Sequence, residues 1–207
     1  AVLEDKLYRS VFYSKGEIYI ELDELKAALQ QIRSIIVAEH QSLYLDDIDN
    51  FINKVNLFGF HFASLDIRQN SKIHNGVFAD VIHYIAKDDK SIAGYEKLDE
   101  KAKLAVLGGV KARFTPQDFE EGDTRSTLES ILAIKTIQER NGQPGCNRYI
   151  ISNNESALNV LELLAMFELL GFENPPVDIV PLFETVDDLE AAGDVMKLLY
   201  ENEKYAA

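Results

Sequence analysis

"LFGFHFASLDIRQN", residues 57–70, is the stretch that decides the predicted fold. It is rich in Phe, is interrupted by Gly59 and is short, so residues 57–69 are predicted to form a β-strand rather than another long helix. Asn70 or Ser71 can then cap a helix, because both side chains accept hydrogen bonds from the first turn. The stretch therefore predicts a strand that leads directly into a helix.

The same alternation continues along the chain. Compact runs rich in apolar and β-branched residues predict two more strands, "NRYIIS" at 147–152 and "VDIVPLFE" at 177–184. Apolar spacings of three and four predict helices between them, including a largely apolar one at about 155–170. Four helix starts carry capping residues, namely Asp46, Thr115 with Asp118, Ser126 with Glu129, and Thr185 with Asp188. Strands separated by helices favour parallel βα units.

Three strands are too few to close a barrel, which takes about 250 residues and eight strands. The chain begins without Met and stops inside a helical pattern, which favours a slice of a barrel over a small open sheet. We therefore expect a helix-rich α/β fold, a partial (β/α) barrel excised from a larger TIM-barrel-like enzyme. In this prediction 1–56 form a helical segment and 57–207 form the β/α units of one fragment.

The composition narrows the classes of function. Lys and Arg total 21 against 35 Asp and Glu, and a net charge of -14 argues against nucleic acid and anionic membrane as partners. The chain has neither a signal peptide nor an apolar run long enough to span a bilayer, and the lone Cys146 cannot form an internal disulfide. These features predict the cytoplasm as the compartment.

Charged residues stand where two of the predicted strands end. Alternate residues of a strand share a face, so Asp66 and Arg68 are expected to project together, with Arg68 near the carboxyl end. Glu184 is the last residue of the third predicted strand. Ligands bind at the carboxyl ends of parallel strands, so Arg68 and Glu184 could face one site.

The chemistry of the two side chains indicates what such a site would bind. A guanidinium suits carboxylate or phosphate, and a carboxylate suits Mg²⁺. The alternative is structural: Asp66 and Arg68 form an ion pair, and Glu184 only favours the following helix N-terminus. The four His residues lack metal-binding spacing, but His74 lies near the start of a helix and could support the site.

Three segments together resemble phosphoenolpyruvate carboxylase. "LDIRQN" with His74 beyond it is similar to the D-I-R-Q-(acid)-S segment of that family, "YIIS" to its Y-(I/V)-I-S-M strand, and "PLFETVDDL" to P-L-F-E-T-x-x-D-L. The order and spacing are comparable. Asn70 stands where the family usually has an acid, and Asn153 stands where it has Met.

The resemblance implies specific roles. Arg68 matches an arginine that contacts phosphoenolpyruvate, Glu184 matches a carboxylate ligand of Mg²⁺ or Mn²⁺, and we interpret Asp66 as the residue that holds the arginine in place. The family consists of large, helix-rich barrel enzymes that are usually homotetramers. They convert phosphoenolpyruvate and bicarbonate into oxaloacetate and phosphate.

Other segments of the family pattern do not occur in these 207 residues. They are the T-A-H-P-T segment with its essential His, the G-Y-S-D-S segment with a second metal carboxylate, and the glycine-rich loop with its arginine. The resemblance therefore implies an active parent enzyme and an inactive isolated fragment. Two alternatives remain open: another Mg-dependent barrel enzyme that uses phosphoenolpyruvate or pyruvate, and a helical interaction module without chemistry.

Overall fold

The computed structural model describes residues 2–13, 20–172 and 174–206. The strands are β1 (Ile67–Asn70), β2 (Arg148–Ser152) and β3 (Asp178–Pro181). The helices are α1 (Val2–Phe12), α2 (Leu22–Glu39), α3 (Leu45–Phe58), α4 (Ser71–Ile85), α5 (Glu100–Leu107), α6 (Asp123–Asn141), α7 (Ala157–Leu169), α8 (Val186–Glu201) and α9 (Glu203–Ala206). Short 3₁₀ turns lie at Lys90–Ile92, Tyr95–Lys97, Pro116–Asp118 and Gln143–Gly145.

The three strands form one open parallel sheet in the order β1-β2-β3. Arg68 pairs with Ile150, and Ile150 pairs with Val180, so the carboxyl ends of all three strands lie at one edge. The predicted helix-rich α/β fold with parallel βα units is confirmed.

Helices α4 and α7 pack against each other and against the sheet. Most residues of α7 are buried, as its apolar sequence predicted. The ring of Phe167 of α7 packs against that of Tyr149 of β2, and α7 also contacts β3. This core fixes the strands whose ends carry the candidate site.

The predicted boundaries of two strands are wrong. Helix α3 continues through Phe58, and Gly59 ends it with a φ of 51°, a conformation that suits glycine. The Phe-rich segment is thus a helix end and a turn, and β1 has only four residues. Strand β3 ends at Pro181, so Glu184 follows the strand instead of closing it.

The helix starts show which capping predictions were right. Asn70 caps α4 by accepting a hydrogen bond from the Lys72 N–H at 2.9 Å. The capping boxes at Thr115 and Thr185 are also present. Ser126, however, lies inside α6, where its N–H bonds the carbonyl of Gly122.

The first predicted cap, Asp46, is also wrong. Helix α3 begins at Leu45 after Tyr44, which has a left-handed backbone (φ 62°), so Asp46 already lies in the first turn. Its carboxylate therefore favours the helix N-terminus by charge instead of capping it.

The chain divides into two compact units. One contains 1–64 and 136–145 and is helical, with a buried cluster of Ile20, Leu25, Leu29, Ile52 and Val55. The other contains 65–135 and 146–207, which include the whole sheet and the candidate site. The predicted domain organisation, with a boundary after residue 56, stays a prediction.

Among the described residues, no helix combines the length and the apolar character needed to cross a bilayer.

Candidate functional site

One carboxylate contacts residues of two strand segments and itself follows the third. Glu184, which follows β3, accepts a hydrogen bond at Oε1 from Arg68 Nη2 of β1 at 3.0 Å. Its other oxygen, Oε2, accepts from the backbone N–H of Asn153, the residue directly after β2, at 2.7 Å. The predicted meeting of Arg68 and Glu184 at one edge of the sheet is therefore present in the structure.

The ion pair between Arg68 and Glu184 is accessible to solvent. The side chains are 55% and 38% exposed, and exposed ion pairs typically contribute at most about 1 kcal/mol to stability. Little free energy therefore opposes replacement of this contact by a ligand. An anion could bind the guanidinium, and a cation could bind the carboxylate.

Among the described residues, no ion pair joins Asp66 to Arg68, and the interpretation of Asp66 as the residue that holds the arginine in place stays a prediction. Asp66 Oδ1 instead lies 3.3 Å from Nε of Arg148, the first residue of β2. Because β1 starts only at Ile67, Asp66 precedes the regular strand and is not bound by its alternation. This second ion pair lies at the amino ends of β1 and β2, opposite to Glu184.

Asn153 has a left-handed backbone with a φ of 53°. Asn is one of the residues that adopt this conformation with the least strain. Its carbonyl accepts a hydrogen bond from the hydroxyl of Ser71, and its side-chain Nδ2 donates to Glu155 Oε1 at 3.1 Å. These contacts fix the turn that presents the Asn153 N–H to Glu184.

His74 is fully buried beneath the sheet. Its Nε2 lies 3.0 Å from the hydroxyl of Tyr149, and burial lowers the pKa of the imidazole to about 4, so the ring is neutral at pH 7. Among the described residues, no hydrogen bond joins His74 to Arg68 or Glu184. Its predicted support of the site stays a prediction.

The carboxylate of Glu184 has the chemistry of a ligand for a divalent cation. Mg²⁺ usually takes one or two protein carboxylates and completes its shell with water and substrate oxygens. The exposed carboxylate of Glu184 fits one such ligand position. In the described part of the chain, however, no cluster of three or more His, Cys, Asp or Glu side chains could hold a metal ion.

Sequence reasoning missed Ser71 and Asn153 as parts of this site. The sequence indicates Ser71 only as a helix cap, and Asn153 only as a departure from a family pattern. A signal for Asn153 was available, because Asn after a predicted strand is compatible with a left-handed turn. The backbone bond from Asn153 to Glu184 had no signal in the side chains.

The chain was compared with known proteins. The family model described as "Phosphoenolpyruvate carboxylase" matches residues 3–207. A phosphoenolpyruvate carboxylase of Prochlorococcus marinus (strain MIT 9301) is 30% identical over 196 residues, which cover 90% of this chain and 19% of the relative. One from Synechocystis sp. (strain ATCC 27184 / PCC 6803 / Kazusa) is 33% identical over 170 residues, covering 78% of this chain and 16% of the relative. The chain thus spans less than a fifth of these curated relatives.

Proposed function

Because this chain belongs to the phosphoenolpyruvate carboxylase family, we propose that it supplies part of the active site of an enzyme that carboxylates phosphoenolpyruvate. The enzyme uses bicarbonate and produces oxaloacetate and phosphate. The match over 3–207 supports the family, and the short coverage of the relatives makes the complete reaction a property of a longer protein. That protein is proposed to be a cytoplasmic homotetramer.

A single observation carries the proposal. Arg68 and Glu184 are 116 positions apart in sequence, yet their side chains meet at 3.0 Å where the parallel strands end. This edge is where α/β enzymes bind ligands. This contact supports the proposal that Arg68 and Glu184, which the family resemblance matches to two different roles, belong to one site.

Arg68 is proposed to bind phosphoenolpyruvate. Its guanidinium is cationic at any physiological pH and presents a planar fork of N–H donors, which matches a phosphate or a carboxylate. The substrate carries both groups. Its binding would replace the exposed contact with Glu184 and orient the substrate at the sheet edge.

Glu184 is proposed to be one ligand of Mg²⁺ or Mn²⁺. Such a cation supplies Lewis-acid stabilisation of negative charge when it is bound. The chain contributes one carboxylate, held in orientation by the Asn153 N–H at 2.7 Å. A second metal carboxylate is proposed to come from another part of the longer protein.

Asp66 and His74 are proposed to support the site without contacting the substrate. Asp66 ties β1 to β2 through Arg148, which fixes the strand that carries Arg68. His74 supports β2 from below through the Tyr149 hydroxyl. The family match argues against both alternatives, another phosphoenolpyruvate- or pyruvate-using barrel and a helical interaction module without chemistry.

The test uses the longer protein that contains this chain, with Arg68→Lys as the variant. An ammonium keeps the charge but cannot reproduce the two-pronged contact, so kcat/KM for phosphoenolpyruvate should fall at least about a hundredfold. Oxaloacetate formation, coupled to malate dehydrogenase and NADH, measures it.

Arg33→Lys is the matched control. Arg33 also pairs with a carboxylate, that of Asp49 at 2.6 Å, and is also partly exposed, but it lies on α2, outside the unit that contains the sheet. Its variant should keep kcat/KM within about twofold. Equal kinetics of the Arg68→Lys variant and the unmodified enzyme would overturn the proposed role of Arg68.

A further inference from the structure

Ser71 is a buried hydroxyl for which the proposed function has no role. It is the first residue of α4 and is only 1% exposed. The capping of this helix is done by Asn70, whose side chain accepts from the Lys72 N–H. The hydroxyl of Ser71 is therefore free to donate elsewhere, and it donates to the carbonyl of Asn153 across the sheet edge.

The peptide that joins Asn153 and Asn154 is held at both of its polar atoms. Its carbonyl accepts from Ser71, and its N–H, which belongs to Asn154, donates to the carbonyl of Leu182 at 3.1 Å. Leu182 lies between β3 and Glu184. The peptide is thus fixed to the start of α4 on one side and to the segment that carries Glu184 on the other.

This fixed peptide determines where the preceding N–H points. With its carbonyl held, the backbone of Asn153 keeps a φ of 53°, and its own N–H then meets Glu184 Oε2 at 2.7 Å. A non-glycine residue in this region requires support from its surroundings. Ser71 provides that support with a hydrogen bond from a buried side chain.

We propose that Ser71 is a positioning residue: it holds the left-handed turn at Asn153 so that the Asn153 N–H orients the Glu184 carboxylate for a divalent cation. The inference rests on the proposed role of Glu184 as a metal ligand. It adds a chain of contacts from Ser71 through the Asn153 backbone to that ligand. A purely structural serine would change stability and leave cation affinity unaltered.

The experiment measures Mn²⁺ binding to the longer protein without substrate, from the electron paramagnetic resonance signal of free Mn²⁺. Ser71→Ala should weaken Mn²⁺ binding by about tenfold, which corresponds to the loss of one hydrogen bond. Ser71→Thr keeps a hydroxyl and should restore most of the affinity. Ser152→Ala is the matched control, because Ser152 is also buried but donates to the carbonyl of Gln69 at 3.4 Å. The Mn²⁺ affinity of this variant should stay within about twofold of that of the unmodified protein.

A second pair of variants covers the case in which Ser71→Ala does not fold. Asn153→Gly keeps the backbone N–H and accepts a positive φ, so its Mn²⁺ affinity should stay close to that of the unmodified protein. Asn153→Val disfavours that φ because its side chain is β-branched, and it should weaken binding as Ser71→Ala does.

Glu184→Gln separates this inference from the proposed function. If Glu184→Gln leaves Mn²⁺ affinity unchanged, the proposed role of Glu184 is wrong and the inference fails with it. If Glu184→Gln weakens binding while Asn153→Val and every folded Ser71 variant bind Mn²⁺ normally, only the role of Ser71 is overturned. A lower melting temperature of Ser71→Ala with normal Mn²⁺ affinity would likewise make Ser71 a structural residue.

Discussion

At the scale of single residues, the candidate site consists of two charged side chains whose contact with each other a ligand could replace. Arg68 and Glu184 satisfy each other in an exposed pair, and Glu184 also accepts from the backbone N–H of Asn153, whose carbonyl accepts from the buried Ser71 hydroxyl. Exposed pairs give little stability, so their value lies in what they can bind. Stability comes from buried residues elsewhere.

Glu162 of α7 is a buried acid, and burial of its ionised form lowers the free energy of unfolding. It is 4% exposed and accepts a hydrogen bond from the Tyr95 hydroxyl at 2.9 Å. Burial raises the pKa of its carboxyl from 4.5 to about 7, against the hydrogen bond from Tyr95 and the charge of Lys103, which both lower it. The folded state therefore binds this proton more tightly than the unfolded state does.

The sign of the pH dependence follows from this pKa. Between about pH 4.5 and pH 7 the unfolded chain releases the proton first, so the contribution of Glu162 to the free energy of unfolding falls as the pH rises, by about 3 kcal/mol in total. Glu162→Gln is neutral at every pH and can still accept from Tyr95. We expect the free energy of unfolding of this variant not to decrease over this pH range, and we expect the variant to be more stable than the unmodified chain at pH 8.

Urea unfolding of the 207-residue chain at pH 5, 6, 7 and 8, followed by circular dichroism, checks this prediction. The chain contains no Trp, so helix content is the appropriate signal. Glu190→Gln, which removes an exposed carboxylate from α8, is the control. Its free energy of unfolding should still decrease as the pH rises. Parallel pH profiles for Glu162→Gln and the unmodified chain would contradict the assignment.

At the scale of secondary-structure elements, the sequence predicted the order of strands and helices but not their lengths. β2 and α7 were recognised because a β-branched run and an apolar helix are long, uniform patterns. β1 was overextended because Phe58, Phe60 and Phe62 favour strands by type, whereas the structure uses them at a helix end and a turn. Local propensity could not reveal that Ile52 and Val55 bury the end of α3 in the helical unit.

The same scale explains what was predictable about the site. Arg68 and Glu184 could be placed at one sheet edge because the carboxyl ends of parallel strands coincide. The partner of Asp66 could not be predicted, because β1 begins at Ile67, ten positions after the predicted start at residue 57. The partners of backbone donors such as the Asn153 N–H cannot be predicted from residue type, because almost every residue has a backbone N–H.

Two glycines test how backbone conformation affects the stability of the helices. Gly76 lies inside α4, and a Cβ there would meet no atom within 4 Å. Gly76→Ala should therefore raise the free energy of unfolding by about 0.5 to 1 kcal/mol, because alanine loses less backbone entropy in a helix. Urea unfolding of the 207-residue chain measures it.

Gly171 is the matched position with the opposite expectation. It also has open space around a Cβ, but it ends α7 with a φ of 91°. Gly171→Ala should lower the free energy of unfolding by about 1 kcal/mol through backbone strain alone. Equal effects of the two substitutions would mean that the space around the side chain, and not φ, determines the change in the free energy of unfolding at these sites.

At the scale of the whole molecule, the described chain leaves large apolar side chains exposed on α8. Val186 and Leu189 are 71% and 62% exposed, and both lie in the first turn of the helix that follows Glu184. Together with the match to less than a fifth of its relatives, this surface is consistent with a segment that is completed by further chain. Activity is therefore a question for the longer protein.

The isolated 207-residue chain should produce no oxaloacetate from phosphoenolpyruvate and bicarbonate, with either Mg²⁺ or Mn²⁺ present. Among its described residues, Glu184 is the single carboxylate that we propose as a metal ligand, and no cluster of three potential ligands occurs. A coupled malate dehydrogenase assay measures turnover, with the longer protein at the same molar concentration as the positive control. Circular dichroism of the same sample shows that the isolated chain is folded. Turnover by the folded chain above the rate without protein would mean that these residues hold a complete active site, and the proposal that the remaining catalytic groups come from other segments would be wrong.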